Sequence, residues 1–174
     1  MNEKLDKNLL DRFLKFQYVV ELLRTILVYA VLSFINLRVK LWITGDWFRP
    51  DKLEANHNIL VLWKYTNNEQ SRIFQWMIPE AIHRVTGCLI PYAYVFQRWF
   101  FIMLAFICFH FFLRKWFKGS VAFGAVCFLA AIMPLSYMNY LQESFSLLML
   151  SYVVILWLIR ENKTWFYCAA LLFA

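Results

Sequence analysis

Three acidic side chains stand beside apolar stretches, where a carboxylate is able to act on a substrate held at a membrane face. Asp46 and Asp51 follow the first apolar stretch, and Glu143 stands alone at the start of a later one. A carboxylate at a membrane edge is costly to desolvate, so such a residue often marks a functional site. The same positions also suit solvated or helix-capping aspartates and a glutamate that favours the positive end of its helix. The residues alone leave both interpretations open.

Cysteine and histidine show no pattern of a metal or redox site. The four cysteines are far apart, and most lie in apolar stretches where a thiol behaves as a small hydrophobic group: Cys88, Cys108, Cys127 and Cys168. The three histidines, His57, His83 and His110, lack the helical spacing of a zinc site. The sequence has no glycine-rich phosphate loop and no nucleophile elbow. We therefore expect no nucleotide or redox cofactor, and a role for a divalent metal stays open.

The composition is that of a membrane protein. Of 174 residues, 62% are hydrophobic and only 17% are charged, whereas soluble domains have about 45–50% apolar and about 25% charged residues. The net charge of +7 comes from basic residues scattered among apolar stretches. A nucleic-acid-binding protein would instead gather them on one face with aromatic stacking partners, so we expect no nucleic-acid partner.

Four apolar stretches are long enough to cross a bilayer as helices, which takes about 20 residues. They cover residues 18–37, 93–113, 119–138 and 141–159. Residues 165–174 form a further apolar stretch of about half a span, which predicts that the chain is the N-terminal piece of a longer protein. The sequence thus predicts an all-α, polytopic transmembrane fold in which residues 1–174 form a single domain with four spans and the start of a fifth.

Basic residues in short turns predict the orientation, because lysine and arginine favour the cytoplasmic side. The turn from Arg114 to Lys118 carries three positive charges, and Arg160 and Lys163 mark a later turn. With both turns in the cytoplasm, the N-terminus is cytoplasmic as well, and residues 38–92 form an extracytoplasmic loop. We expect an integral protein of the cell inner membrane, with the lipid bilayer as its first partner.

The external loop contains an amphipathic segment. Apolar residues recur with helical spacing from Ile73 to Val85, while Glu80 and Arg84 fall outside this stripe. Pro79 is expected to kink the helix or to start a new turn, and Gly87 to end it before the second span. This pattern predicts a helix that lies on the membrane surface.

This order of elements resembles the N-terminal module of the C-type (GT-C) integral membrane glycosyltransferases. Residues 71–87 (SRIFQWMIPEAIHRVTG) are similar to the segment of arginine, apolar residues, proline and a later glycine that precedes the second span in bacterial members. Residues 134–159 (PLSYMNYLQESFSLLMLSYVVILWLI) are similar to the second external loop and fourth span, where an acid is followed by serine and apolar residues. The resemblance covers nearly the whole chain.

The resemblance implies transfer of a sugar from a lipid-linked phosphate donor to an acceptor on the extracytoplasmic side. It implies that Asp46, or else Asp51, acts as base or orients the acceptor, and that Glu143 is the acid of the second loop. Arg72 and Arg84 flank the surface helix, where they meet either the leaving phosphate or ordinary lipid headgroups. Many relatives carry an adjacent acidic pair where this chain has one acid, so dependence on a metal stays open.

A non-catalytic structural or scaffold subunit of a membrane complex is the alternative. Aromatic and methionine side chains suit packing against protein partners as well as they suit lipid. A transporter is disfavoured, because no charged residue stands at mid-depth in the third or fourth predicted span.

Overall fold

The computed structural model describes residues 2–44, 50–62, 73–136 and 145–161, and within these ranges all regular structure is helical. The six helices are α1 (Asn2–Thr44), α2 (Pro50–Val61), α3 (Ile73–Thr86), α4 (Ile90–Leu113), α5 (Gly119–Ser136) and α6 (Phe145–Glu161). The predicted all-α class is therefore confirmed for the described part of the chain.

Within the described residues, two helical segments are long and apolar enough to cross a membrane. They are Val19–Ile43 within α1 and Ile90–Leu113, which is all of α4. Helix α5 is apolar over the shorter segment Gly119–Pro134, and α6 has 17 residues. These two candidate spans support a membrane protein, and they are fewer than the four that the sequence predicts. The apolar stretch 165–174 lies outside the described residues.

The helix boundaries differ from the predicted spans for local reasons. Helix α1 continues beyond the predicted end at Leu37 as far as Thr44, because it contains no glycine or proline to stop it. Helix α4 begins at Ile90, slightly before the predicted start at Ala93, with Pro91 in its first turn. Proline is tolerated there because the first amide groups of a helix have no intrahelical partner.

Helix α4 is the centre of the arrangement, since it packs against all five other helices. Its direction relative to α1 follows from two contacts, Glu21 with Arg114 and Tyr29 with His110, which make the two helices antiparallel. Helix α6 runs parallel to α4, because Lys115 at the end of α4 is paired with Glu161 at the end of α6. We call this end, with residues 114–118 and the last turn of α6, the basic end.

The opposite end of α4 carries α2 and α3, and we call these two helices with the first turns of α4 the platform end. A small buried cluster of Leu53, Ile90 and Tyr94 joins α2 to α4 there. Gly87 has a φ of 69°, a left-handed conformation that glycine adopts without strain, and it lets the chain turn from α3 into α4. The larger core lies among α1, α4 and α5 and contains Tyr29, Ile102, Phe106, Val126, Ala130 and Met133.

Candidate functional site

A buried histidine links the three helices of the platform end. His57 of α2 is 1% exposed. Its Nε2 lies 2.9 Å from Glu80 Oε2 on α3, and its Nδ1 lies 2.9 Å from the Tyr94 hydroxyl on α4. In the neutral imidazole, Nε2–H donates to the carboxylate and Nδ1 accepts the Tyr94 O–H, so each polar group in the chain of contacts is satisfied. His57 therefore fixes α2 and α3 to the start of α4.

Glu80 connects this buried chain to the protein surface. Its second oxygen, Oε1, accepts a hydrogen bond from Arg84 Nε at 2.5 Å, one helical turn further along α3. The hydrogen bond from His57 lowers the pKa of Glu80 below its usual value, Arg84 adds to this effect, and partial burial opposes it. The Glu80 side chain is 18% exposed and that of Arg84 is 71% exposed. The guanidinium is thus held by Glu80 and still faces outward.

The predicted site residues are described only in part. Asp46, Arg72 and Glu143 lie outside the described residues. Asp51 is exposed in the first turn of α2, where a carboxylate is favoured by the positive end of the helix. Arg84 is exposed and paired with Glu80. Asp51 and His57 share α2, so one predicted acid and the His57–Glu80–Arg84 chain belong to the same end of the molecule.

The face that α3 packs against the protein is not the predicted apolar stripe. Trp76 and Pro79 are buried, and Glu80 faces His57, whereas Val85 is 86% exposed and Met77 is 49% exposed. The helix also continues through Pro79 from Ile73 to Thr86. The apolar stripe is therefore left for an apolar surrounding outside the chain, which suits the predicted contact with a membrane surface.

Sequence reasoning missed His57, Glu80 and Tyr94 as a connected group. They stand on three different helices, so no fixed sequence spacing relates them. The only local signal is Glu80 with Arg84, four residues apart on one helix, beside a histidine in the same polar block. Among the described residues, no three His, Cys, Asp or Glu side chains gather as a metal site would require.

A second polar region lies inside the helix bundle. Polar residues recur with helical spacing on the inner side of α1 and are all buried: Tyr29, Ser33, Asn36 and Lys40. Tyr29 Oη lies 2.7 Å from His110 Nδ1, and Asn36 Nδ2 donates to the Ala130 carbonyl at 2.6 Å. We call these four residues of α1, with Gln97, Arg98 and His110 of α4, the polar seam.

The polar seam contains two buried basic residues. Lys40 is 3% exposed and Arg98 is 6% exposed. Buried ionisable residues inside membrane helices often mark functional positions. Here they stand in the two candidate spans of the structure, Lys40 in Val19–Ile43 and Arg98 in Ile90–Leu113.

Comparison with known proteins finds no family model, no curated protein and no solved structure that matches this chain.

Proposed function

We propose that this chain belongs to an integral membrane glycosyltransferase of the GT-C type. It transfers a sugar from a polyprenyl-phosphate-linked donor to an acceptor at the extracytoplasmic face of the inner membrane. The observation that carries the proposal is the charged platform end, where the exposed Asp51 and the His57–Glu80–Arg84 chain stand beside the start of a candidate span. Carboxylates and guanidinium groups at this depth suit a reaction between a water-borne hydroxyl group and a lipid phosphate.

The reaction requires a proton acceptor and positive charge. The acceptor oxygen bonds to the anomeric carbon of the sugar while the bond from that carbon to the phosphate oxygen breaks. The hydroxyl proton passes to a carboxylate, for which Asp46 is the first candidate and Asp51 the second. The lipid phosphate leaves with the bonding electrons, and Arg72 and Arg84 are the proposed groups that stabilise its charge. Whether a divalent metal assists stays open.

Glu143 completes the proposed site from the second external loop. This role rests on the resemblance of residues 134–159 to the second external loop and fourth span of the GT-C enzymes.

The proposed topology has four spans, with α5 and α6 as the third and fourth. This topology is supported by the basic residues that gather at one end of α4. The basic end gathers Arg114, Lys115, Lys118 and Arg160, which favours the cytoplasm. The platform end, with α2 and α3, is then extracytoplasmic, and the N-terminus is cytoplasmic.

Changing Asp46→Asn and Asp51→Asn in the intact protein tests the proposal. Whichever of the two aspartates is the proton acceptor, its replacement should lower the rate of sugar transfer by at least about 100-fold. The abundance of that variant in the membrane should be unchanged. The measurement is transfer of radiolabelled sugar from a polyprenyl-phosphate donor in isolated membranes. Glu54→Gln is the matched control, because Glu54 is another exposed acid of α2.

Full activity in both aspartate variants would show that the proton acceptor is not an aspartate of the first external loop. If the wild-type protein transfers no sugar, co-purifies with a membrane protein, and supports that partner equally well after all three acids are changed, the scaffold function replaces this one.

A further inference from the structure

The Arg84 guanidinium is oriented by a chain of hydrogen bonds that begins deep inside the platform end. Tyr94 is 2% exposed and His57 is 1% exposed. The Tyr94 hydroxyl is hydrogen-bonded to His57 Nδ1, His57 Nε2 is hydrogen-bonded to Glu80 Oε2, and Glu80 Oε1 accepts a hydrogen bond from Arg84 Nε. Three side chains on three helices therefore determine where the exposed guanidinium of Arg84 points.

An exposed pair of this spacing normally orients a side chain only weakly, because both partners rotate in water. Here the carboxylate has lost that freedom, since one of its oxygens is bound to a buried imidazole. The contact uses Nε of Arg84, and the side chain is 71% exposed. The two terminal nitrogens of the planar guanidinium are the pair that binds a phosphate through parallel hydrogen bonds.

The residues around Arg84 indicate the depth, relative to the membrane surface, at which a ligand would bind to it. Val85 is 86% exposed, Met77 is 49% exposed, and Leu89 just before α4 is 61% exposed. These apolar side chains border the start of a candidate span, Ile90–Leu113. An arginine beside exposed apolar residues at such a position lies at the level of lipid phosphates.

We propose that Glu80, supported by His57 and Tyr94, is a positioning residue that presents Arg84 to the phosphate of a polyprenyl-phosphate donor. This inference rests on the proposed function and adds three residues to it. The alternative source of the same chemistry is an ordinary phospholipid headgroup, which Arg84 would bind without any effect on the reaction.

Donor kinetics of the intact protein in lipid nanodiscs test the inference. We expect Arg84→Gln to raise the KM for the polyprenyl-phosphate donor about tenfold, the effect of losing a charge-assisted contact. Glu80→Gln and Tyr94→Phe should raise the same KM about threefold each, with a smaller change in kcat. Tyr92→Phe is the matched control for Tyr94→Phe, because Tyr92 is on the same helix and is 63% exposed.

A double variant separates positioning from a merely structural role. If Glu80 acts through Arg84, then Glu80→Gln adds nothing to the KM of the Arg84→Gln protein, whereas a loss of fold would add to it. Arg84→Lys should restore the KM only in part, because an ammonium group lacks the paired geometry of guanidinium. Independent effects of Glu80 and Arg84, or a donor KM that all these changes leave unaltered, would overturn the inference.

Binding of polyprenyl phosphate, measured without turnover, distinguishes failure of the inference from failure of the function. We expect Arg84→Gln to weaken binding of polyprenyl phosphate and to leave binding of phosphatidylglycerol unchanged. Equal weakening for both lipids would mean that Arg84 is a headgroup anchor, and the inference would be wrong. A wild-type protein that binds polyprenyl phosphate through Arg84 but transfers no sugar would overturn the proposed function alone.

Discussion

At the scale of single residues, the buried polar side chains decide which helix faces meet. Hydrogen bonds between membrane helices contribute about 0.6 kcal/mol on average, whereas a buried polar group without a partner costs several times more. The hydrogen bond between Tyr29 and His110, which joins α1 to α4, therefore adds little stability, but it excludes arrangements that would leave the two groups without a partner. Its main contribution is to the specificity of packing.

Tyr29→Phe measures one such contact. The change removes the hydroxyl group that lies 2.7 Å from His110 Nδ1 and keeps the ring in the core. We expect the free energy of unfolding to fall by about 0.6 kcal/mol, the average for hydrogen bonds between membrane helices, and by no more than about 1.7 kcal/mol, the largest such value. Equilibrium unfolding in mixed micelles measures this loss. Tyr152→Phe, at a tyrosine that is 60% exposed, is the control, and an equal loss in both variants would contradict the prediction.

The ionised Glu80 carboxylate should make the stability of the fold depend on pH. Its pKa is lower in the folded protein than the ordinary value of 4.5, because His57 and Arg84 stabilise the charged form. A group of this kind stabilises the fold fully above the unfolded pKa, and the contribution is lost as the pH falls through the folded pKa. The difference in melting temperature between the wild-type protein and Glu80→Gln should therefore shrink as the pH falls below the ordinary value of 4.5. A difference in melting temperature that stays constant as the pH falls would contradict the stabilisation of the charged Glu80 carboxylate by His57 and Arg84.

At the scale of elements, apolar periodicity predicted a helix at α3 but not the face that packs. Amphipathic patterns identify a packing face only when water is the alternative surrounding, and next to a membrane lipid also takes apolar residues. Val85 is therefore exposed, and the polar Glu80 faces inward because His57 is there to bind it.

For the candidate site, too, local sequence patterns predict only features that lie within one helix. Asp51 and Arg84 were identified from local sequence, because each stands at a recognisable place on one helix. His57 and Tyr94 were not, because their importance comes from contacts between helices. The extension of α1 to Thr44 was also missed, since charged residues such as Lys40 indicated the end of the apolar stretch and not the end of the helix.

Replacing glycine by alanine should have opposite effects on stability at two positions, Gly87 in the turn between α3 and α4 and Gly124 inside α5. Gly87 has a φ of 69° and open space where the methyl group of an alanine would lie, so Gly87→Ala costs only the strain of the backbone conformation, about 1–2 kcal/mol. Gly124 lies inside α5 with the same open space and an ordinary φ, so Gly124→Ala should stabilise the protein by about 0.5–1 kcal/mol. Melting temperatures of the two variants should move in opposite directions. A shift of the same sign in both would contradict this account of the turn.

At the scale of the whole molecule, the two ends of α4 differ in charge and in aromatic contacts. At the basic end, Glu21 pairs with Arg114 and Lys115 with Glu161. The Arg160 guanidinium lies 4.3 Å from the centre of the Trp116 ring, a combination of cation and tryptophan that is favoured where a membrane meets water. Residues 114–118 and the end of α6, which are distant in sequence, thus lie at the same end of the bundle.

Labelling of single cysteines tests the orientation. In a variant with all four native cysteines replaced, Asn58→Cys and Lys118→Cys each introduce one exposed thiol, the first on α2 and the second in the turn before α5. We expect a membrane-impermeant maleimide to label Asn58→Cys in intact cells, and Lys118→Cys only after permeabilisation, because the basic residues keep their turn in the cytoplasm. The sequon Asn162-Lys163-Thr164 should accordingly remain without glycan in a eukaryotic host. The reverse pattern would place Asp51 and Arg84 in the cytoplasm, and an extracytoplasmic transfer would then have no site.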